Sequence, residues 1–354
     1  MYKRQLDGIT YYFIDNKEYF DCFSPYGNIR QDIEKFCFFD KAVLSMLPVI
    51  GFQPDIIHCH DWQSSLVPVF LKAFYCADPF YRNIKTVMTI HNLKFQGITE
   101  IDRLKDITGL PDDMFTYDKL EYNNSANLLK GGLVFADKIT TVSKTYAEEI
   151  KQPEYGEGLD SVLQHRSADL CGIVNGIDIQ LWNPSTDPEI PYHFDKVNIA
   201  SQKKKAKMAL QEELGLEKNP DVMMVGVVSR LTWQKGFYLL MEQLDALCAA
   251  PIQLVILGSG ESQIENKFRE LEDGNKGKIC FYYGYNESLA HRIYAASDLF
   301  LMPSLFEPCG ISQLCSMRYG TLPLVRETGG LKDTVDAYNE YEKSGNGFSF
   351  ENYD

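Results

Sequence analysis

The sequence predicts an α/β protein built from two Rossmann-like, doubly wound domains. Short β-rich runs alternate with helical stretches, and polar or glycine residues follow directly after these runs. Alternation of this kind is typical of parallel sheets covered by helices. Two such series lie on either side of residues 172–184. We therefore predict two domains, at residues 1–171 and 172–354, with ligand sites at the carboxyl ends of their strands.

The predicted strands are apolar runs that lack a polar face, which indicates burial on both sides of a sheet. They lie at residues 55–58, 86–90, 138–142, 222–228, 253–257, 278–282, 299–302 and 322–325. Helices fit between them. One example is residues 201–214, where Ser201 can cap the amino end and Gly215 can end the last turn.

The net charge and the aromatic content of the chain limit the kinds of molecule that it is expected to bind. A net charge of -14 repels a polyphosphate backbone, and no basic stripe with interleaved aromatic residues is present, so nucleic acid is not expected. A small anion can still bind where a few cations converge, and 13% aromatic residues suit stacking on sugars. We see no signal segment and no apolar run of about 20 residues, and we expect a cytoplasmic protein without a membrane partner.

The nine cysteines show no CxxC pair and no metal-ligand spacing, so we expect reduced thiols and no metal. They lie at positions 22, 37, 59, 76, 171, 248, 280, 309 and 315.

The run from Val227 to Gly236 carries the clearest chemical signal. A buried strand ends there in a loop that holds two cations five residues apart, Arg230 and Lys235. A guanidinium and a mobile ammonium can both reach one diphosphate and stabilise the charge that develops on it as a leaving group. A solvated surface pair is the alternative, which the position of the loop at the end of a strand disfavours.

A second loop follows the strand at residues 299–302. Pro308 is expected to set the first turn of a helix, whose free N–H groups favour phosphate. Glu307 precedes it and can accept hydrogen bonds from sugar hydroxyls, although an isolated acidic residue at this position is more often a helix-start charge. Residues 327–331 repeat the pattern of a glycine turn before a helix.

The first half offers weaker signals. The string His58-Cys59-His60-Asp61-Trp62 follows a strand but lacks a third metal ligand at sensible spacing. His91 follows the next strand, where a single histidine is more often structural. Asn175-Gly176 is first of all a tight turn.

Together these strings resemble the bacterial glycogen synthase and plant starch synthase family, retaining ADP-glucose glucosyltransferases of the two-domain GT-B fold. The strongest segments are HCHDW, TIHNLKFQG, LLKGGLVFADKITTVSKTYAEEI, GIVNGIDIQLWNP, VVSRLTWQKG, AHRIYAASDLFLMPSLFEPCGISQL and YGTLPLVRETGGLKDTV. The resemblance implies transfer of glucose from ADP-glucose, as donor substrate, to an α-1,4-glucan, with no further cofactor.

The resemblance also implies roles for individual residues. Arg230 and Lys235 would bind the diphosphate, supported by the Gly310-Ile311-Ser312 backbone. The remaining residues would surround the donor glucose and the adenine: Glu307, His91 and Asn175 line the glucose pocket, Asp61 lies near the sugar, and Tyr285 stacks near the adenine. Catalysis would rest on Glu307, Arg230, Lys235 and His91, with front-face displacement as the mechanism.

Four departures from the family qualify this expectation. The family's Lys-x-Gly-Gly-Leu phosphate loop is expected upstream of residue 1, since the similar string at residues 129–133 lies in a helical segment. We likewise expect the family's last helices beyond residue 354. Residues 1–5 do not fit the family, so we exclude them from the fold. Cys315 stands where related transferases carry a second glutamate, which favours glycogen synthases over sucrose- or trehalose-type relatives.

Two other readings stay open at this point. One is a related retaining transferase that uses UDP-glucose or a non-glucan acceptor. The other is a fragment that binds glucan without catalysing transfer, or that is inert.

Overall fold

A computed structural model describes residues 1–21 and 24–353. The chain folds into two compact units. Unit 1 comprises Met1–Val142 and Ala147–Ile173, and unit 2 comprises Ser143–Tyr146 and Val174–Asp354. The eight described cysteines are free thiols, whereas Cys22 lies outside the described residues.

Residues 1–173 contain nine strands and seven helices within their described part. The strands are β1 (Tyr2–Leu6), β2 (Ile9–Phe13), β3 (Ile56–His60), β4 (Lys85–Ile90), β5 (Ile98–Thr99), β6 (Glu121–Tyr122), β7 (Ser125–Asn127), β8 (Lys138–Thr141) and β9 (Leu170–Gly172). The helices are α1 (Lys17–Phe20), α2 (Ile29–Val49), α3 (Leu66–Phe74), α4 (Ile101–Thr108), α5 (Leu128–Phe135), α6 (Lys144–Glu149) and α7 (Asp160–His165).

The main sheet of unit 1 is parallel, in the order β3-β4-β8-β9. Strand β4 is central and largely buried, whereas β3 lies at the edge with Ile56, His58 and His60 exposed. The expectation of a strand buried on both faces is therefore wrong for β3, because its alternate residues Ile56, His58 and His60 lie on one exposed face of the strand. Strands β5, β7 and β6 form a small antiparallel sheet that the sequence pattern did not reveal.

The string at residues 129–133 lies in α5, as predicted. Residues 1–5, by contrast, do not lie outside the fold as we expected. Strand β1 pairs with β2 in an antiparallel hairpin. Asp7 and Gly8 turn the chain between them with φ values of 51° and 78°. Two positive φ values match the twist of the flanking strands, which explains why an Asp-Gly pair forms this turn.

Unit 2 contains six strands and seven helices from residue 174 to its last described residue. The strands are β10 (Met223–Val228), β11 (Ile252–Gly258), β12 (Ile279–Tyr283), β13 (Leu299–Met302), β14 (Leu322–Arg326) and β15 (Phe348–Phe350). The helices are α8 (Ile199–Glu213), α9 (Phe237–Glu242), α10 (Leu244–Ala249), α11 (Ser262–Gly274), α12 (Glu287–Ala296), α13 (Ser312–Arg318) and α14 (Gly329–Thr334).

The sheet of unit 2 is fully parallel, in the order β12-β11-β10-β13-β14-β15. Numbered from β10, this is the Rossmann order 3-2-1-4-5-6, so the strand order reverses between β10 and β13. Alternate residues of β11 face opposite helical layers: Leu254 and Ile256 pack with α9, α10 and α11, whereas Val255 and Leu257 pack with α8, α12 and α13. Helices on both faces confirm the predicted doubly wound architecture.

The predicted helix at residues 201–214 is α8, with one correction at its start. Ser201 lies inside the first turn, where its hydroxyl donates to the Asn198 carbonyl, and therefore it is not the cap. Gly215 follows the last turn with φ 69°, as expected of a glycine that ends a helix. None of the helices in the described ranges is both long and apolar enough to cross a bilayer.

Candidate functional site

The loop after β10 carries Arg230 and Lys235 to the point where the strand order of unit 2 reverses. Trp233–Lys235 form one 3-10 turn, and Gly236 then leads into α9. Gly236 has φ 75°, and a Cβ there would lie 1.8 Å from the Pro303 carbonyl oxygen. Only glycine fits this position, so the loop lies directly against the loop that follows β13.

These two loops enclose a cleft of about 180 Å³. Six predicted site residues line it: Arg230, Lys235, Glu307, Gly310, Ile311 and Ser312. Ligands of doubly wound sheets bind in a crevice at this topological position. The structure therefore brings together the residues to which the sequence assigned the diphosphate.

Lys235 and Glu307 form a close ion pair inside the cleft. The Lys235 ammonium donates to Glu307 Oε2 at 2.6 Å, and the Ser304 hydroxyl donates to the same oxygen at 3.1 Å. The two charged side chains are 17% and 8% exposed. Removing either partner of a pair this buried would leave the other charge uncompensated.

Arg230 contrasts with Lys235 because its guanidinium makes no ion pair or hydrogen bond with the residues that the structure describes. The side chain is exposed at the mouth of the cleft. Five N–H donors in a planar fork suit two phosphate oxygens at once. The site thus presents one neutralised cation and one unpaired cation to an anion.

The helix near Glu307 begins later than predicted. Pro308 does not open a helix, since α13 starts at Ser312 with Ile311 as its flanking residue. Gly310 takes the left-handed conformation, with φ 76°, and this interrupts helical geometry after Pro308. Glu307 therefore lies at the beginning of a loop, four residues before Ile311. The pattern at residues 327–331 was predicted correctly, because α14 begins at Gly329.

Asn175 lies next to the Glu307 loop. Burial raises the pKa of the Cys309 thiol, and a hydrogen bond from the Asn175 backbone partly opposes this rise. Tyr285 follows β12 and is 77% exposed, and it does not line the cleft. Its assignment to the adenine stays a prediction.

Two further predicted residues, Asp61 and His91, meet in unit 1. Asp61 Oδ1 accepts a hydrogen bond from the His91 backbone N–H at 2.8 Å. Asp61 has φ 56°, a conformation that a non-glycine residue adopts at a cost and that often marks a functional position. Burial raises the pKa of Asp61, whereas hydrogen bonds from the His91 and Asn92 backbones lower it.

A histidine that the sequence reasoning did not select, His60, contacts His91. The two rings share a hydrogen bond of 3.0 Å between Nδ1 of His60 and Nε2 of His91. Burial, and then the neighbouring rings of His58 and His91, lower the pKa of His60. One ring must donate and the other accept, so the contact requires at least one neutral imidazole. Among the described residues, no cluster of three or more His, Cys, Asp or Glu side chains could hold a metal.

Ser304 is a second residue that the sequence reasoning missed. It is 1% exposed and bonds the carboxylate of Glu307. Its position directly after β13 and Pro303 was a usable signal, since polar residues at the carboxyl ends of parallel strands face the ligand.

Comparison with known sequences matches both parts of the chain. The family described as the starch synthase catalytic domain matches residues 1–165, and glycosyl transferases group 1 match residues 210–354. The first match includes residues 1–5, contrary to our expectation.

Individual relatives extend the similarity over the whole chain. The glycogen synthase of Lachnospira eligens is 57% identical over 353 residues, which are 100% of this chain and 74% of that protein. The glycogen synthase of Lachnoclostridium phytofermentans is 54% identical over 349 residues, 99% of this chain and 73% of that protein. Among solved structures, the catalytic domain of starch synthase IV from Arabidopsis thaliana bound to ADP and acarbose superposes with a TM-score of 0.90. It is 35% identical and is matched over 99% of this chain and 73% of its own.

Proposed function

Because the chain belongs to the glycogen synthase and starch synthase family of glycosyltransferases, we propose that it transfers glucose from ADP-glucose to the non-reducing end of an α-1,4-glucan with retention of configuration. The class is that of a hexosyltransferase with a nucleotide-sugar donor and a glucan acceptor. ADP as the donor nucleotide is supported by the starch synthase relative, which is described with ADP bound. The cytoplasm, the absence of a further cofactor and the roles of the individual residues stay predictions.

The observation that carries the proposal is the charge arrangement in the cleft of unit 2. An unpaired guanidinium and a paired ammonium flank one opening at the carboxyl ends of β10 and β13. Glu307 provides one anion for these two cations, and a diphosphate would provide the second. The same cations would then stabilise the charge that develops on the departing phosphate.

The Lys235–Glu307 pair also bears on the mechanism. Glu307 neutralises a lysine, and a carboxylate held in this way is poorly suited to attack the anomeric carbon. In the proposed reaction the bond from this carbon to the phosphate oxygen breaks, and the acceptor 4-hydroxyl oxygen bonds to the same face. The departing phosphate oxygen takes the proton of that hydroxyl.

Substitution of Arg230 by Ala tests the proposal most cleanly. Its side chain is exposed and unpaired among the described residues, so folding should be unaffected. We expect kcat/KM for ADP-glucose, with glycogen as acceptor, to fall about 100- to 1000-fold. Lys235→Ala is a poorer test because it would leave the buried Glu307 carboxylate without its partner, and the protein could lose stability as well as activity.

Lys267→Ala serves as the matched control, since it removes an exposed cation of unit 2 on α11. The assays use this chain and, where its gene encodes a longer protein, that protein as well. Wild-type turnover by a folded Arg230→Ala variant would refute the assignment. Faster transfer from UDP-glucose than from ADP-glucose would refute the donor, and glucan binding without transfer in both proteins would favour a non-catalytic role.

A further inference from the structure

The cation loop, defined here as Ser229–Gly236, is held from the side opposite Glu307 by the turn that follows β11. The Leu231 backbone N–H donates to the Ser259 carbonyl at 2.9 Å, and the Glu261 N–H donates to the Leu231 carbonyl at 2.7 Å. A Cβ on Gly260 would lie 2.2 Å from the Leu231 oxygen. Backbone therefore contacts backbone directly, with no room for a side chain.

Glu261 adds two hydrogen bonds to this contact. Its Oε1 accepts from the Trp233 backbone N–H at 2.7 Å, and its Oε2 accepts from the Tyr238 hydroxyl at 2.9 Å. The turn that begins at Trp233 has no capping side chain of its own, because Thr232 makes no such bond. Glu261 thus provides from another loop the acceptor that a local cap would supply.

The other side of the cation loop is tied to the loop after β13. The Leu305 backbone N–H donates to the Gln234 carbonyl at 2.9 Å. The rings of Trp233 and Phe306 lie 5.7 Å apart. The cation loop is therefore clamped between its two neighbours in the sheet, and Glu261 is the charged side chain on the β11 side.

Arg230 depends on this clamp more than Lys235 does. Lys235 has Glu307 to orient it, whereas Arg230 has no partner among the described side chains and takes its position from the backbone on either side. Transition-state stabilisation by a preorganised charge is sensitive to displacements of about 1 Å.

We propose that Glu261 is a positioning residue for the transfer reaction. By bonding Trp233 and Tyr238 it holds the cation loop so that the Arg230 guanidinium meets the donor diphosphate. Glu261 does not itself line the cleft. The inference rests on the proposed function, because it assigns to Glu261 an effect that acts through Arg230.

The experiment is a double-mutant cycle between Glu261→Ala and Arg230→Ala, measured as kcat/KM for ADP-glucose. We expect Glu261→Ala alone to lower kcat/KM about 10- to 100-fold. In the Arg230→Ala background the same change should cost less than threefold, because the cation that it positions is gone. Glu270→Ala, an exposed carboxylate of α11, is the control that should leave kcat/KM unchanged.

Two conservative variants keep the inference testable if Glu261→Ala folds poorly. Glu261→Gln retains an acceptor for Trp233 and can donate to the Tyr238 oxygen, so it should keep kcat/KM within about threefold of wild type. Tyr238→Phe removes one of the two bonds and should fall between wild type and Glu261→Ala. Amide hydrogen exchange at Trp233 should accelerate in Glu261→Ala and stay slow in Glu261→Gln.

The outcomes separate this inference from the proposed function. Full additivity of Glu261→Ala and Arg230→Ala, or unchanged kcat/KM in a folded Glu261→Ala enzyme, would overturn the positioning role while leaving the diphosphate site intact. A loss in Glu261→Gln as large as in Glu261→Ala would also overturn it, since charge rather than hydrogen bonding would then matter. Wild-type activity of Arg230→Ala would instead refute the proposed function.

Discussion

At the scale of single residues, two aspartates on α2 show how the surroundings of a buried carboxyl group determine which protonation form the fold favours. Asp32 pairs with Lys35 at 2.8 Å. Asp40 is 1% exposed and accepts one bond, from the Leu66 N–H at 3.0 Å, while its Oδ1 has no partner among the described atoms. Burial raises the pKa of Asp40 well above its ordinary value of 3.8. The fold therefore favours the neutral form of this group.

The sign of the pH effect follows directly for Asp40. Above pH 3.8 the unfolded chain releases the Asp40 proton and the folded chain retains it, so stability falls as pH rises towards the higher folded pKa. We expect Asp40→Asn to raise the free energy of unfolding at pH 8 by about 1–3 kcal/mol. The gain should be smaller at pH 5. Urea unfolding at both pH values measures it.

Asp32→Asn is the matched comparison on the same helix. It removes the partner of the buried Lys35 ammonium and should destabilise the protein by about 3–5 kcal/mol. A destabilised Asp40→Asn, or a gain that shrinks as pH rises, would contradict the account of Asp40.

At the scale of elements, the loops that follow β10 and β11 are joined through glycine. Gly260→Ala would place a methyl group 2.2 Å from the Leu231 carbonyl oxygen, and so the cation loop or the turn must move. We expect a loss of about 1–3 kcal/mol in stability and at least about a tenfold fall in kcat/KM. Thermal unfolding and initial transfer rates measure the two effects.

Gly274→Ala is the control for Gly260→Ala, because a Cβ at the end of α11 meets no atom within 4 Å. It should leave kcat/KM unchanged and stabilise the protein by up to about 1 kcal/mol. Full activity of Gly260→Ala would show that the cation loop tolerates displacement.

The elements also show what could be predicted from sequence. The β10 and β13 runs and their loops were predictable because buried parallel strands are continuous apolar runs and ligand residues follow them. Strands of two or three residues, such as β5 and β6, carry no periodic signal. The start of α13 was predicted wrongly because Gly310 adopts a left-handed conformation. The proline at position 308 gives no indication of that conformation in the sequence. The contact of Lys235 with Glu307 spans 72 residues, and no local spacing encodes it.

At the scale of the whole molecule, the cleft residues all belong to unit 2. We therefore expect a protein of residues 174–354 to fold and to bind ADP with a Kd within about tenfold of the full chain, about 1.4 kcal/mol. Isothermal titration calorimetry measures the affinity, and circular dichroism verifies folding. The Arg230→Ala version should bind ADP much more weakly.

The shortened protein lacks Ser143 and Thr145, which bond Pro308 and Asp333 within unit 2. A variant with residues 143–146 attached through a flexible linker distinguishes loss of these bonds from loss of the site. A folded 174–354 protein with no ADP affinity in either form would show that other parts of the chain are required.

The amino ends of the parallel strands in unit 2 lie opposite the carboxyl ends that carry the cleft, and they offer a place for a reporter group. All the loops that line the cleft leave the carboxyl ends of strands, whereas the turn between α11 and β12 lies before an amino end. Lys276 is exposed in that turn and makes no backbone hydrogen bond with the described residues. A peptide tag or fluorophore inserted there would report the position of the enzyme on a growing polymer without touching the loops that line the cleft.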